Sequence, residues 1–486
     1  MMSENLASRK VIPIQPVQPG VNELPELLLE ETAAKVYPRS VSGRFARLRW
    51  VMVWVTQLVF YGLPWLQWND RQAVLFDLAE RRFYVFGLVL HPQDFIYLAV
   101  LLIVAALALF FFTAVAGRLW CGYACPQTVY TEIFLWVERR TEGDRQARMR
   151  LDAAPWDLQK VVRKGSKQLV WIAIALVTGL TFVGYFSSIQ GLLSELLRFA
   201  FSPWEWFWIL FYSLATYGNA GFLREQICKH MCPYARFQSA LIDMDSMVIA
   251  YDEQRGEGRG SRPRGADPAA LGLGHCIDCT LCVQVCPTGI DIRKGLQNEC
   301  IACAACIDVC DQVMQKMDYP TGLIRYTSGN GMEQQHGARQ IIRRISRPRV
   351  WIYGALLLLV CSAFAYNLTT RKSFSVDVIK DRGSLAREVG QGDIENVYRL
   401  QIMNGLEQAQ RYSVSVRGLA GLRISSDAQL AVQSVAIASL PVRLTLAPEA
   451  AAAYRGKTLP IVFEVQTTTD GRSEVRHEKS TFYVLP

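Results

Sequence analysis

Five long apolar stretches decide which class of fold is open to this chain. Residues 50–68, 95–116, 206–223 and 350–370 contain no Asp, Glu, Lys or Arg, and residues 169–201 contain only Glu195 and Arg198, near their end. Each stretch is near or above the roughly 20 residues that cross a bilayer as a helix. Ser187, Ser188 and Gln190 mark where the third would leave the membrane. Trp50, Trp65, Trp68, Trp204 and Trp206 crowd the ends of these stretches, as in aromatic belts. A soluble core with buried helices does not need five such runs. The 486 residues are therefore expected to form a polytopic α-helical membrane protein with five transmembrane helices.

Basic residues orient it. Lys and Arg number seven before the first stretch, then three, ten, one and sixteen in the successive connections, and fifteen in the tail. Cytoplasmic connections carry the excess of Lys and Arg, so those with ten and sixteen, and the N-terminus with them, are expected inside. The tail falls on the periplasmic side, since long domains cross largely regardless of charge. The net charge of +9 is by this reading a topology signal, and no nucleic-acid partner is expected. Residues 1–45, with Pro13, Pro16, Pro19, Pro25 and Pro38, read as a flexible cytoplasmic tail and not as a cleaved signal peptide.

The thirteen cysteines are distributed as unevenly as the charges. Eight fall in two runs, Cys276-x-x-Cys279-x-x-Cys282-x-x-x-Cys286-Pro287 and Cys300-x-x-Cys303-x-x-Cys306-x-x-x-Cys310. This is the spacing with which bacterial-type ferredoxins hold two [4Fe–4S] clusters, the fourth cysteine of each run ligating the other cluster. One cluster would take Cys276, Cys279, Cys282 and Cys310, the other Cys300, Cys303, Cys306 and Cys286. Structural zinc favours two separated Cys-x-x-Cys pairs, and each run has a thiolate too many for that. A disulfide scaffold would need a small chain in an oxidising compartment. Twelve cysteines lie in or beside the expected cytoplasmic connections, Cys361 lies within the fifth stretch, and the tail has none.

The remaining four form a weak internal repeat. The second stretch runs into Arg118-Leu-Trp-Cys121-Gly-Tyr-Ala-Cys125-Pro126, and the fourth into Arg224-Glu-Gln-Ile-Cys228-Lys-His-Met-Cys232-Pro233. A spacing of four places both thiols of a pair on one helix face, about 5–6 Å apart at Cβ. The proline is expected to end or bend that helix. Paired thiolates suit Cu(I), or a further cluster if the two pairs converge. His230 and Met231 are weaker candidate copper ligands, because a lone His or Met at a membrane interface more often serves structure. Free cysteine also packs as a small hydrophobe. Repetition of the whole motif at equivalent depth weighs against that for Cys121, Cys125, Cys228 and Cys232.

The chain then divides into a membrane domain at 46–250 with four helices, a flexible Gly/Arg-rich linker at 251–274, a ferredoxin domain at 275–320 and a fifth helix at 348–370. Within these, residues 138–167 read as a charged surface helix with Arg139 and Arg140 near lipid headgroups. Residues 82–91 read as a strand-like excursion broken at Gly87, and residues 339–349 as a basic run at the membrane. From 374 to 486 short alternating stretches appear, such as Tyr412, Val414 and Val416; Val442, Leu444 and Leu446; and Ile461, Phe463 and Val465. Asn404-Gly405 and Asp470-Gly471 favour hairpin turns. This tail reads as an all-β, immunoglobulin-like sandwich with no catalytic constellation, and His477 in it is not expected to bind metal.

Assembled, these features resemble the FixG/RdxA/CcoG family, polyferredoxin-like accessory proteins of cbb3-type cytochrome c oxidase. The resemblance rests on both Cys-x-x-x-Cys-Pro motifs, on Arg255-Gly-Glu-Gly-Arg259-Gly, on the double cysteine run through Gly322-Leu-Ile-Arg-Tyr326, and on the tail. It implies a multi-pass protein of the bacterial inner membrane that acts as a cupric reductase. Cu(II) would be reduced to Cu(I) for the oxidase's copper centre, and met at Cys121, Cys125, Cys228 and Cys232. Implied partners are a cytoplasmic electron donor of unknown identity and copper chaperones or oxidase subunits; a homo-oligomer is left open. Asp311 follows Cys310 where a second proline is common, a departure at a position that is not a ligand. Two other readings share these motifs: a quinol-linked membrane ferredoxin conduit, and a non-enzymatic assembly or redox-sensing factor.

Overall fold

The computed structural model describes residues 35–69, 71–333, 347–371, 373–381, 385–390, 392–469 and 472–486. The expected tail over 1–34, basic residues 339–346 and the Asp470-Gly471 turn lie outside the described residues. The chain forms two compact units, Met1–Leu66 with Leu98–Cys361, and Gln67–Tyr97 with Ser362–Pro486.

Helix α1 (Arg44–Gly62) starts ahead of the first apolar stretch and stops where Leu63–Trp65 tighten into a 3-10 turn. Helix α2 (Phe95–Ala116) leads into short α3 (Leu119–Tyr123), then α4 (Pro126–Thr141) and α5 (Arg145–Ala153). Helix α6 (Leu158–Val183) ends at Gly184, ahead of the polar exit expected at Ser187, and amphipathic α7 (Ile189–Arg198) follows. A capping box between Ser202 and Glu205, with Pro203 at the first helical position, starts α8 (Pro203–Gly218).

Among the described residues, three helices are long and apolar enough to cross a membrane: α2, α6 and Pro348–Thr369. The first and fourth expected spans are not among them. Helix α1 takes Arg44, Arg47 and Arg49 into its first turns, and α8 gives way at Gly218 to wider π-helical turns. On α2, Phe95, Ile96, Leu101, Leu102 and Ile103 are all more than half exposed, a surface that lipid would cover. Helices α6 and α8 cross at Gly179, where an added Cβ would lie 2.4 Å from the Ile209 carbonyl oxygen. Only a small residue fits such a crossing.

The charged segment at 138–167 is not one surface helix. It folds as the end of α4, all of α5 and the start of α6, with Glu138, Glu142, Arg148, Lys160 and Lys167 buried. Glu138 binds Arg148 at 2.7 Å and Arg224 at 2.5 Å, while Glu142 binds Lys167 at 2.9 Å and Lys164 at 3.1 Å. Opposite charges spaced along successive helices neutralise one another inside, which a one-dimensional reading of charge misses. Arg139 faces Glu132 at 3.7 Å.

Below these helices sits the cysteine-rich module. Helix α9 (Pro233–Leu241) leads to a strand at Val248–Tyr251, which pairs antiparallel with Ile324–Thr327, and α10 (Ala305–Met317) lies between them in sequence. The segment expected as a flexible linker is packed onto the module. Arg255 donates to His275 Nδ1 at 2.8 Å and to Thr321 O at 3.0 Å, and Arg262 donates to Tyr319 Oη at 3.0 Å. Its Gly/Arg composition serves close backbone approach and guanidinium bonds to carbonyls. Helix α11 (Pro348–Thr369) follows the module.

In the other unit, β1 (Val74–Asp77), β2 (Arg82–Val85) and β3 (Leu88–Leu90) form an antiparallel sheet, broken at Phe86–Gly87 as expected. The tail is a two-sheet antiparallel sandwich. Residues 422–424, 437–446, 393–404 and 374–380 lie in that order in one sheet, and 429–432, 410–417, 458–469 and 472–483 in the other. Tyr412, Val442, Leu444, Leu446, Ile461, Phe463 and Val465 all point into its core. Asn404-Gly405 is not a hairpin turn, because the strands either side belong to different sheets. The buried Asn404 side chain donates to Gln408 O and Gln433 O, fixing a crossover. Arg71 pairs with Glu407, and Arg371 with Asp94 at 2.5 Å, so the β1–β3 segment and the sandwich are held together by ion pairs.

Candidate metal centre

Cys276, Cys279, Cys282 and Cys310 line one cavity, whose other walls include Tyr251, Leu281, Met314 and Ile324. The fourth thiol of the second run has thus joined the first three of the first. The other four assemble reciprocally: burial first, then Cys303, Cys300 and Cys286, push the Cys306 thiol far above its ordinary pKa. The crossing follows from α10, which carries Cys306 at its start and Cys310 one helical turn later.

Each run bends through the same two left-handed positions. Asp278 and Thr280 have φ of 55°, and Ala302 and Ala304 have φ of 56° and 60°. Non-glycine residues held there cost roughly 1–3 kcal/mol each. Such turns aim successive backbone N–H groups at one point and make an anion-binding concavity. Four thiols around an apolar cavity, with backbone donors turned inward, fit a [4Fe–4S] cluster. Burial raises the Cys282, Cys300 and Cys310 thiols to about 12. Each is therefore a protonated thiol until metal displaces its proton.

The Cys-x-x-x-Cys-Pro segments differ from the single bent helix their spacing suggests. Cys121 lies on α3, but Cys125 is already outside it, extended at ψ 128°, and Pro126 is the first residue of α4. Cys228 lies in the π-helical turn Ile227–Met231, Cys232 is extended at ψ 111°, and Pro233 opens α9. In both copies the proline starts a helix. Its missing N–H is an orphan donor at that position anyway. The repeat is therefore structural as well as sequential: a helical cysteine, an extended cysteine, then a new helix.

The four thiols perturb one another. Burial pushes Cys121 up to about 12, with Cys125 and Cys228 adding to it; burial pushes Cys228 up to about 11, with Cys125 and Cys232 adding. Arg118 opposes the shift at both. The Cys121 thiol donates to Gln238 Oε1 at 3.4 Å, and Gln238 is fully buried. Among the described residues no three His, Cys, Asp or Glu side chains converge as a site for a single ion. His230 and Met231 are exposed, so neither is drawn in with the thiols.

What brings the two cysteine sets together is Gly122. A Cβ there would lie 2.8 Å from the carbonyl oxygens of both Ile301 and Ala302, the two residues between Cys300 and Cys303. Beside it, Tyr326 Oη donates to Ala302 O at 2.6 Å and meets Tyr123 Oη at 3.3 Å. Arg118 donates to Asn298 O, and Arg49 of α1 donates to Cys303 O. Burial works against the Arg49 charge, but Cys303, Glu132, Tyr123 and Asp308 together hold its pKa above the usual arginine value. Asp308 in turn accepts from the Phe45 and Ala46 N–H groups at 3.2 and 2.7 Å, anchoring the start of α1. A cavity of about 70 Å³ runs alongside, lined by Cys228, Cys303, Arg49, Gln127, Glu132 and Thr288.

Arg49 and Gln238 are not singled out by sequence reasoning. Arg118, Gly122 and Tyr123 carried a signal only by lying in or next to the repeated motif, and Tyr326 only by ending the run quoted for the family resemblance. Asp311 caps a turn by accepting from Gly322 N at 2.8 Å, and takes no part in either cage.

Known families and proteins match along the chain. A 4Fe-4S dicluster domain family matches residues 223–329, a 4Fe-4S binding domain family residues 98–142, and an IG-like fold at the C-terminal of FixG, putative oxidoreductase, residues 364–485. Nitrogen fixation protein FixG of Rhizobium meliloti (strain 1021) is 38% identical over 450 residues, covering 86% of both chains. Protein RdxA of Cereibacter sphaeroides is 41% identical over 421 residues, covering 85% of this chain and 88% of that one. A crystal structure of a FixG-related protein from Vibrio parahaemolyticus covers 23% of this chain and 97% of that one, at 23% identity and a TM-score of 0.20.

Proposed function

This chain belongs to the FixG/RdxA family of iron–sulfur redox proteins, and from that premise we propose that it reduces Cu(II) to Cu(I) for a cbb3-type oxidase. The observation that carries the reading is the close approach of Gly122, beside Cys121, to the Ile301–Ala302 backbone of the second cysteine run. A [4Fe–4S] cluster supplies one-electron transfer when bound. Cys276, Cys279, Cys282 and Cys310 would hold one, and Cys286, Cys300, Cys303 and Cys306 the other. The chain's own residues do the rest. Copper, the substrate, would meet Cys121, Cys125, Cys228 and Cys232, whose soft sulfur prefers the Cu(I) product. Each thiol that binds gives up its proton, and the Arg118 guanidinium favours the thiolate at Cys121 and Cys228. Gly122 and Tyr326 fix the distance between thiols and cage.

The same proposal has five spans, with all cysteine motifs on the cytoplasmic face and the sandwich outside. It is supported by the unit that joins residues 67–97 to 362–486. The connection after the first span and the tail after the fifth share a side only if an even number of spans separates them. Alkaline phosphatase fused at residue 80 and at residue 486 should be active at both points; activity at one alone overturns the topology.

Purified protein with pre-reduced clusters should convert Cu(II) to a Cu(I) chelate. Cys228→Ser with Cys232→Ser should abolish that conversion while leaving the cluster absorbance intact. Unchanged copper reduction in the double variant would remove the proposed copper site. Quinone reduction at comparable rates, with copper inert, would favour the quinol-linked conduit instead.

A further inference from the structure

Two buried cations face the second cysteine cage from outside the cysteine-rich segment. Arg49 is 7% exposed and donates through Nη1 to Cys303 O. Arg118 is 6% exposed and donates through Nη1 to Asn298 O and Cys300 O, and through Nη2 to Ala235 O at 2.7 Å. Neither forms an ion pair with a described residue, unlike Arg224, the equivalent arginine of the repeat, which has Glu138 at 2.5 Å. Asp308 and Glu132 lie within electrostatic range of Arg49, but the Asp308 carboxylate is taken up by the first N–H groups of α1. A buried guanidinium without a carboxylate is costly. Glu132 is shared with Arg139 at 3.7 Å, so an anion in the cage would be the direct counter-charge to both guanidiniums, and four thiolates around an iron–sulfur core supply it.

The first cage is built differently. Its nearest guanidinium, Arg293, is already answered by Asp291 at 2.7 Å and by Asp278. Arg255 near Cys310 is half-exposed, with Asp252 and Asp311 also in range. One cage thus faces buried guanidinium charge that has no direct ion pair among the described residues, and the other faces charge that is neutralised or wet.

We propose that Arg49 and Arg118 are positioning residues that raise the reduction potential of the cluster at Cys286, Cys300, Cys303 and Cys306 above that of its neighbour. Reduction by a low-potential one-electron donor adds one negative charge to a core, with no bond broken and no proton moved. Guanidinium charge close by stabilises the reduced form, as net charge and hydrogen bonding do for such clusters generally. The electron held by the module then rests beside Gly122 and Cys121, at the helix ends. This rests on the iron–sulfur ligation, not on the copper reading.

The test is reductive potentiometry of the full-length protein in detergent, using dithionite, with EPR detection and no copper. Signals are assigned by the one missing in Cys279→Ala or Cys306→Ala. Arg49→Gln and Arg118→Gln, whose amides can still reach the carbonyls, should each lower the reduced-to-oxidised ratio of the second cluster about tenfold at fixed potential, or about 59 mV for one electron. Arg49→Lys should stay near the parent value. Asp278→Asn, at an exposed position, removes one of the two carboxylates that answer Arg293 and should raise the first cluster's potential, narrowing the gap. Unchanged potentials in the glutamine variants at full iron content overturn the proposal, as does a higher potential at the Cys276 cage. If Arg49→Gln loses its iron, Arg118→Gln decides, and an unchanged second-cluster potential there overturns the proposal. A protein that shows these shifts yet leaves Cu(II) unreduced removes the copper reading and leaves this one standing.

Discussion

The cysteine-rich module and the two thiol pairs at the helix ends use one side chain in two kinds of construction. In the module the backbone does the work: strained left-handed residues at 278, 280, 302 and 304 bend each run, and Cys276, Cys279 and Cys282 of the first come to face one cavity with Cys310 of the second. At the helix ends the backbone is only interrupted. Cys125 and Cys232 stand in extended linkers ahead of Pro126 and Pro233, while the Arg118 charge acts on their partners Cys121 and Cys228, and Arg224, in the second motif, is paired with Glu138. A cage shaped by its own chain can hold a resident group tightly. Thiols placed by neighbouring helices are better suited to a ligand that comes and goes.

Removing one thiol from each set gives the largest expected difference. Cys306→Ser takes a ligand from a buried cage, and metal binding there is also folding energy. It should lose one cluster's iron and about 4–5 kcal/mol or more of stability, the range reserved for loss of a metal or buried network. Cys121→Ser should keep its full iron and lose only about 1 kcal/mol. Iron analysis with thermal unfolding in detergent measures both. Equal iron loss in the two variants would mean that the helix-end thiols are cluster ligands too.

Next comes the charge that supports the helix-end set. Glu138→Ala leaves Arg148 and Arg224 buried without their carboxylate and should cost about 3–5 kcal/mol. Burial alone would raise the Glu138 pKa, but Arg224, then Arg148 and Lys167, hold it below the usual glutamate value. Because the folded value is the lower one, the stabilisation is fully present above the unfolded pKa of about 4.3 and is lost as pH falls through the folded one. Thermal unfolding followed from neutral pH down to about pH 2 should show a decline, setting in below about pH 5, that Glu138→Gln flattens. An unchanged acid limb in that variant would show the network to be energetically idle.

The same contrast explains what could be read in advance. The grouping of thiols in the module follows covalent spacing, three cysteines within seven residues, so the expectation that Cys310 meets Cys276, Cys279 and Cys282 could be written one residue at a time, and the four line one cavity. Alternation made the sandwich legible too, since Val442, Leu444 and Leu446 can bury together on only one face of a strand. Long-range charge pairing was not. The run from Glu138 to Lys167 looks like a solvated surface until Arg224, 86 residues on from Glu138, is brought against it. Helix ends were equally opaque: proline after Cys-x-x-x-Cys fits both the end of one helix and the start of the next. Arg49 gave no signal because its partner is a backbone carbonyl, which carries no sequence identity.

Gly122 tests whether contact between the two sets matters. Gly122→Ala drives a methyl toward two carbonyl oxygens that cannot move far without shifting Cys300 and Cys303. Overpacking of this kind costs about 1–3 kcal/mol. Iron content should hold, while copper reduction by the pre-reduced protein should slow, because Cys121 is pushed from the cage. Normal copper reduction in a stable Gly122→Ala protein would disconnect the close approach from function.

The finest distinction lies between the two tyrosines at that contact. Tyr326 Oη donates to Ala302 O at 2.6 Å, a direct bond to the strained loop, and Tyr123 reaches the loop only through Tyr326. Tyr326→Phe removes the donor and leaves a buried carbonyl short of a partner, at a cost of about 1–3 kcal/mol, whereas Tyr123→Phe leaves that bond in place and should cost only a few tenths. If both act only on stability, the ordering should appear in thermal unfolding and nowhere else. If Tyr326 also holds Ala302 at its left-handed φ, as the geometry suggests, the EPR line shape of the second cluster should change in Tyr326→Phe and stay constant in Tyr123→Phe. Equal effects of the two substitutions would make the pair a single hydrogen-bonded unit, and the cage would then depend on α3 for its shape as well as on its own backbone.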